Sequence, residues 1–233
     1  KILKILNLLE LAKSIRKWYW QNVLLPCDYK KEQVSGEIAK LIKSNDCFMI
    51  SRLGMVELGA MLNIKKVMDK KTKFDKNNFF NLQKNAGFFP LDQKNIEKYY
   101  DRMYSDIQEV DLLGQFSTLE LNFKKELKNS KKVWLSQLEP YYFDNPWSKE
   151  LEGKKVLVIY PFESSIKKQY GIREKLFENK NVLPKFELKT LKSVQSLGGE
   201  KTKYLTWFDA LHSMEKKIDK IDFDVAIIGC GAY

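Results

Sequence analysis

Lys154-Lys155-Val156-Leu157-Val158-Ile159-Tyr160, followed by Pro161-Phe162-Glu163 and the helical period of residues 164–177, is the stretch on which the fold turns. The apolar run Val156–Tyr160, closed by Pro161, describes a strand buried on both faces, and such strands belong to parallel sheets covered by helices. The same grammar repeats downstream. Residues 186–191 (FELKTL) predict a second strand, 204–218 a second helix, and Val225-Ala226-Ile227-Ile228 a third strand. Strand, helix, strand, helix, strand with short turns predicts an α/β fold with a parallel sheet, flanking helices and right-handed crossovers.

Working outward from that core, residues 32–43 carry Val34, Ile38, Leu41 and Ile42 at helical spacing, Asn45-Asp46 break the period, and Cys47-Phe48-Met49-Ile50-Ser51 reads as a strand. Residues 53–132 are aromatic-rich and mostly helical in pattern, as in 93–110 with Ile96, Tyr99, Tyr100, Met103 and Ile107. The polar stretch 70–78 and the turn Ala86-Gly87-Phe88-Phe89-Pro90 interrupt it, and Val133-Trp134-Leu135 offers another strand. Residues 1–29 form an amphipathic helical segment ahead of a domain at 30–233. The helical period of that segment runs through Lys13, Arg16 and Lys17 to Trp18, Tyr19 and Trp20, too often charged to span a bilayer and lacking a secretory cleavage site. Two readings stand: a basic amphipathic helix lying on an anionic inner membrane surface or a partner, or a helix packed on its own domain. At the other end Gly229-Cys230-Gly231-Ala232-Tyr233 opens a glycine-rich turn without the helix that usually follows, so the domain is expected to be incomplete at its carboxyl terminus.

With 233 residues, of which 44% are hydrophobic, the chain can bury a substantial core and needs no disulfide or structural metal to fold. Its three cysteines, Cys27, Cys47 and Cys230, are odd in number and scattered, which predicts a reducing, cytoplasmic setting. His212 is the single histidine, so any Ser-His-Asp or Cys-His mechanism would depend on it, and its place inside a predicted helix favours a structural role. The net charge of +11 suits anionic lipid, polyanions or phosphorylated substrates, while the absence of zinc-finger, RNP or basic-heptad signatures argues against sequence-specific nucleic-acid binding.

Ligands of open parallel sheets bind at the carboxyl ends of strands, where loops meet helix N-termini. Three segments hold such positions. In Ser51-Arg52-Leu53-Gly54-Met55-Val56-Glu57, Arg52 can fork onto a phosphate, Gly54 can let backbone approach a ligand, and Glu57 can bind a divalent cation or accept a proton; a surface ion pair and a plain turn are the alternatives. Ser164 or Ser165 can cap the helix after Pro161 and present donors to a diphosphate, with Gln169 and Arg173 further along; capping alone is the alternative. Gly229-x-Gly231 is a fragment of a nucleotide-binding turn.

Together, Arg52-x-Gly54-x-x-Glu57, Asn85-Ala86-Gly87-Phe88-Phe89-Pro90, Pro146-Trp147-Ser148, Leu151-Glu152-Gly153 with the strand behind it, Pro161-Phe162 with Ser165-Ile166-x-x-Gln169-Tyr170-x-x-Arg173, Val194-Gln195-Ser196 and Phe223 to Tyr233 resemble bacterial glycosyltransferases of the GT-D fold, over roughly residues 30–233. The resemblance implies a Rossmann-like domain. It also implies transfer of a sugar from a nucleotide-sugar donor to a glycan or lipid-linked acceptor in capsule or cell-surface polysaccharide biosynthesis, with inversion at the anomeric carbon. The implied cofactor is a divalent metal, Mn or Mg, at the donor diphosphate, with Glu57 as its ligand. Well-characterised relatives carry Asp-Gly-Glu where this chain has Met55-Val56-Glu57, so the metal site is either completed by another carboxylate or absent. Arg52, Gly54, Ser164, Ser165, Gln169, Arg173, Gly229 and Gly231 would hold the donor, Glu57 or Glu163 would take the acceptor proton, and Phe88 and Phe89 would stack on sugar or base.

Two other classes compete: a membrane- or glycan-binding scaffold whose degenerate motif has lost catalysis, and an NAD or SAM enzyme resting on Gly229-x-Gly231 alone. Oligomeric state has no signal in the chain.

Overall fold

The structure is a computed structural model that describes residues 11–16, 18–44 and 46–233. It is mixed α/β, and the described residues hold six strands in two three-stranded sheets, both wholly parallel. The first sheet has the order β1 (Ile50–Ser51), β2 (Leu112–Gln115), β3 (Lys131–Trp134). The second has β4 (Lys155–Tyr160) at its centre between β5 (Glu187–Lys192) and β6 (Val225–Ile228). Parallel strands and flanking helices are as expected; the division into two sheets is the correction. Its cause is β2, a strand hidden inside the stretch read as helical, whose four residues are all buried.

Burial on both faces explains why β2 shows no alternation. Leu112 faces a core with Val34, Ile38 and Ile42 of α1 (Lys31–Lys43), and Leu113 faces the opposite, helical core. Gly114 is needed there because a Cβ would meet Leu138 Cδ1 at 2.5 Å, so the glycine lets the turn after β3 close over the strand. The α1 stripe shares one buried cluster with Val133, Leu151, Val156 and Phe186, so residues of both sheets meet in the core that this helix helps to cover.

The helical core is built from α2 (Met55–Met68), α3 (Phe80–Ala86) and α4 (Gln93–Asp106), with Leu58, Met61, Ile64, Leu82, Ile96 and Tyr99 buried. Trp207, at the start of α6 (Trp207–Ile218), joins it from the second half of the chain. The Thr206 hydroxyl accepts from the Asp209 amide while Asp209 reaches back to the Thr206 N–H, a reciprocal cap that fixes where α6 begins.

Strand and helix bounds otherwise shift by a few residues. The helix of 93–110 ends at Asp106 and tightens into a short turn over Ile107–Glu109. The helix after β4, α5 (Glu163–Gly171), stops well short of residue 177 and has no fully buried residue. Of the amino-terminal segment, residues 11–16 and 18–24 are helical, and the apolar positions among residues 1–10 lie outside the described residues. The chain joins the domain ahead of residue 30: Leu25 is 2% exposed and Tyr29 packs in the second core. Gln115 Nε2 straps this stretch to the end of β2, donating to the carbonyls of Leu25 (2.7 Å) and Pro26 (2.9 Å).

Candidate functional site

Because each sheet is parallel, its strand ends and following loops gather on one side. At the first sheet these are Arg52 after β1, Phe116 after β2 and Trp134 at the end of β3. The Arg52 guanidinium lies 5.9 Å from the centre of the Phe116 ring, and Arg52 is exposed. A cation resting on a ring face keeps its fork directed outward for a second, anionic partner.

Arg52-x-Gly54-x-x-Glu57 is a helix start. Gly54 is the residue preceding α2, in extended backbone (φ −68, ψ 138), and Glu57 is in the first turn. A Cβ on Gly54 would overlap the Glu57 carboxylate, so a larger residue there would have to push that side chain aside. The carboxylate therefore folds back over the helix entrance. No side chain caps α2, and the first intrahelical bond is Leu58 N to Gly54 O (2.9 Å), which leaves the amides of Met55, Val56 and Glu57 as donors at the positive end of the helix dipole.

Behind Glu57 lies Tyr99, fully buried, with no hydrogen-bond partner for its hydroxyl among the described residues. Burial first, and then the Glu57 charge, raise the Tyr99 phenol well above its ordinary range, so it is a neutral donor. Trp207 Nε1, in the same aromatic cluster (ring centres 5.6 Å apart), is likewise buried without a partner among the described residues.

The loop after β2 adds a carboxyl that the sequence reading missed. Glu120 is 3% exposed; its Oε1 accepts from the Phe116 amide (3.2 Å) and its Oε2 has no partner among the described residues. Burial pushes this carboxyl up, against the lowering effect of the Phe116 and Ser117 amides. Ser117 at the head of a short turn (Thr118–Phe123) was the available signal, since its hydroxyl caps Leu119 N.

The second sheet's carboxyl end is arranged differently. Ser164 and Ser165 do not cap α5: the helix starts at Glu163 after Phe162, no side chain caps it, and both serines are exposed in its first turn. Glu163 accepts from Thr190 Oγ1 (2.6 Å) and pairs with Lys167, which together hold its carboxyl below the ordinary range. That engagement suits a structural carboxylate better than a base. Gln169 is exposed on α5, while Arg173 lies beyond the helix, 5.3 Å over the Tyr170 ring and paired with Glu174 at 2.9 Å.

The glycine turn is occupied by the protein itself. Gly229 lies against the Tyr160 ring, and Gly231, with φ of 74°, packs on the Ala86 carbonyl, to which Ala232 N donates (3.1 Å). Ser196 Oγ donates to the Gly87 carbonyl (2.6 Å) and shares a hydrogen bond with Tyr233 (2.8 Å), and Tyr233 stacks on Trp207. Burial pushes the Tyr233 hydroxyl up to about 12 and the Cys230 thiol up to about 11, so neither is a nucleophile near neutrality.

Phe88 is fully buried against Tyr99, Trp207 and Phe208, which makes it a core residue and removes it from substrate stacking. Phe89 is partly buried on the same core, and its carbonyl accepts from Trp207 N (2.7 Å). His212 is exposed and lies 3.6 Å from Glu215. Among the described residues no hydrogen bond, ion pair or ring contact links Arg52 or Glu57 to the start of α5, and no group of three or more His, Cys, Asp or Glu side chains is placed to hold a metal ion.

No protein-family model matches the chain, and no curated protein or solved structure matches it either.

Proposed function

We propose that the chain is a glycosyltransferase that moves a sugar from a nucleotide-sugar donor to a glycan or lipid-linked acceptor, with its chemistry at the carboxyl end of the first sheet. The observation that carries this reading is the Arg52, Gly54 and Glu57 geometry: an outward guanidinium, free helix-start amides and a carboxylate folded over them. It supplies what the transfer needs. As the acceptor oxygen bonds to the anomeric carbon, its proton passes to Glu57, and the bond to the diphosphate breaks with the electron pair on the leaving oxygen. Arg52 and the α2 amides face the charge that develops there, and fixed donors of this kind are each worth about 3–4 kcal/mol in other active sites.

A divalent metal fits only with help from the substrate. Glu57 is a single carboxylate, and Mn or Mg would need donor phosphate oxygens and waters as its remaining ligands. Such an ion would neutralise diphosphate charge; the residues' own roles in binding and proton transfer stand beside it.

Glu57→Gln tests the reading. The variant should fold, keep nucleotide binding and lose donor hydrolysis by about 100-fold or more, the scale of general-base loss. Turnover at the wild-type rate would remove Glu57 from the mechanism, and a wild-type chain that binds none of UDP, GDP or CMP would favour the scaffold.

The amino-terminal helix fits a peripheral membrane role. Leu11, Ile15, Trp18, Tyr19 and Val23, spaced along one helical face, are each about half exposed or more, and Lys13 and Arg16 flank them. Among the described residues, no helix is long and apolar enough to cross a membrane. Deleting residues 1–20 should abolish flotation with vesicles containing anionic phospholipid and leave nucleotide binding intact. Unchanged flotation would refute the membrane role.

A further inference from the structure

Beside the end of β3, on the same side of the first sheet as Arg52, lies a cavity of about 740 Å³ that the chemistry above does not use. Three rings line it: Tyr29, Trp134 and Tyr142, the last 54% exposed. Ser136 and Gln137 add neutral polar groups, Lys31 is the one charged residue, and no carboxylate lines it. Gln137 is 8% exposed; its Oε1 accepts from Trp134 N (2.7 Å), and its amide nitrogen has no protein partner among the described residues.

The wall is built and held. Gln115 straps Leu25 and Pro26 to β2, and Asp28 pairs with β3 through two bonds to Lys132, donating from its N–H to the carbonyl (2.8 Å) and accepting from the amide at Oδ2 (2.6 Å). The groove is therefore part of the sheet's edge and not a gap between loose loops.

We infer that this groove seats the saccharide of the acceptor. The inference rests on the transferase reading and deepens it. Ring faces with a few hydrogen-bonding amides and hydroxyls suit a sugar, whose faces are apolar and whose rim is hydroxylated. A nucleoside diphosphate would bring more negative charge than one lysine answers, and its charge is better met at Arg52 and the α2 start. Strands lie about 4.8 Å apart and β3 runs two residues further than β1 in register, so their ends are roughly 12 Å apart across β2, close enough for donor and acceptor to face one another.

The test is saturation-transfer NMR on the full chain with a panel of neutral and N-acetylated di- to tetrasaccharides, run alongside thermal shifts with UDP, GDP and CMP. At least one saccharide should bind, and Tyr142→Ala should weaken it about tenfold, the loss expected for one stacked ring, while nucleotide shifts stay as in wild type. Trp134→Phe, which keeps a ring in the wall, should retain most of the binding, and Gln137→Leu should lose it. Because Tyr142 is exposed, its variant is expected to fold even where Trp134→Ala does not.

Absence of saccharide binding by folded wild-type chain, or binding undiminished in Tyr142→Ala and Gln137→Leu, overturns the inference. So does a nucleotide shift lost in Tyr142→Ala, which would make the groove the donor's seat. Saccharide binding through the groove in a chain that binds no nucleotide would uphold the groove and sink the transferase reading.

Discussion

At the carboxyl end of the second sheet, Gly231, Ala232, Ser196 and Tyr233 are bonded to or packed on the 86–89 turn and Trp207, and Glu163 is held by Thr190 and Lys167. At the first sheet, Arg52 is exposed over the Phe116 ring, the α2 amides have no side-chain cap, Tyr99 and Glu120 keep polar atoms with no partner among the described residues, and a groove opens beside β3. The second end has tied its glycine turn, Ser196 and Glu163 into the structure, leaving Ser193 Oγ and Trp207 Nε1 without a partner among the described residues; the first end leaves an exposed guanidinium beside a helix start with a carboxylate over it. Serine and glycine motifs after a strand thus say where a ligand can bind in a parallel sheet, but only the accounting of partners says where one would be needed.

If the second sheet's end is a structural joint, damage there should unfold the chain. Trp207 touches Phe88, Tyr99, Phe208 and Tyr233, so Trp207→Ala should cost roughly 3–5 kcal/mol in urea unfolding. Ile166→Ala, in an α5 with no fully buried residue, should cost less than about 1 kcal/mol. Equal losses would mean that α5 is anchored as firmly as the joint.

A smaller effect sharpens the other side. Glu120 is an acid whose folded pKa is raised above its ordinary 4.5, so it favours the folded state fully below that value and ever less as pH rises through the folded pKa. The stability of Glu120→Gln relative to wild type should therefore improve between pH 4 and pH 8. A difference that stays constant with pH would show that the buried carboxyl is not desolvated.

Much of the architecture was legible. The 225–228 strand falls where the apolar run puts it, and β4, β5, α1 and α6 differ from their expected bounds by at most a few residues. The β2 strand was not legible, because Leu112-Leu113-Gly114-Gln115 is short, buried on both faces and carries a glycine kept for the approach of Leu138. Arg52, Gly54 and Glu57 were found at the end of a strand, as read. Phe88 misled because an aromatic turn looks the same whether it faces a ligand or a core. Glu120 and the groove residues escaped because burial and a cavity assembled from residues 26–142 leave no local spacing to detect.

Binding of UDP, GDP and CMP by calorimetry, compared between Arg52→Ala and Arg173→Ala, puts the two sheet ends in direct competition. Loss of most nucleotide affinity in Arg52→Ala, with Arg173→Ala like wild type, is the predicted result. Affinity surviving in Arg52→Ala but lost in Arg173→Ala would place the phosphate at the second sheet and contradict the account.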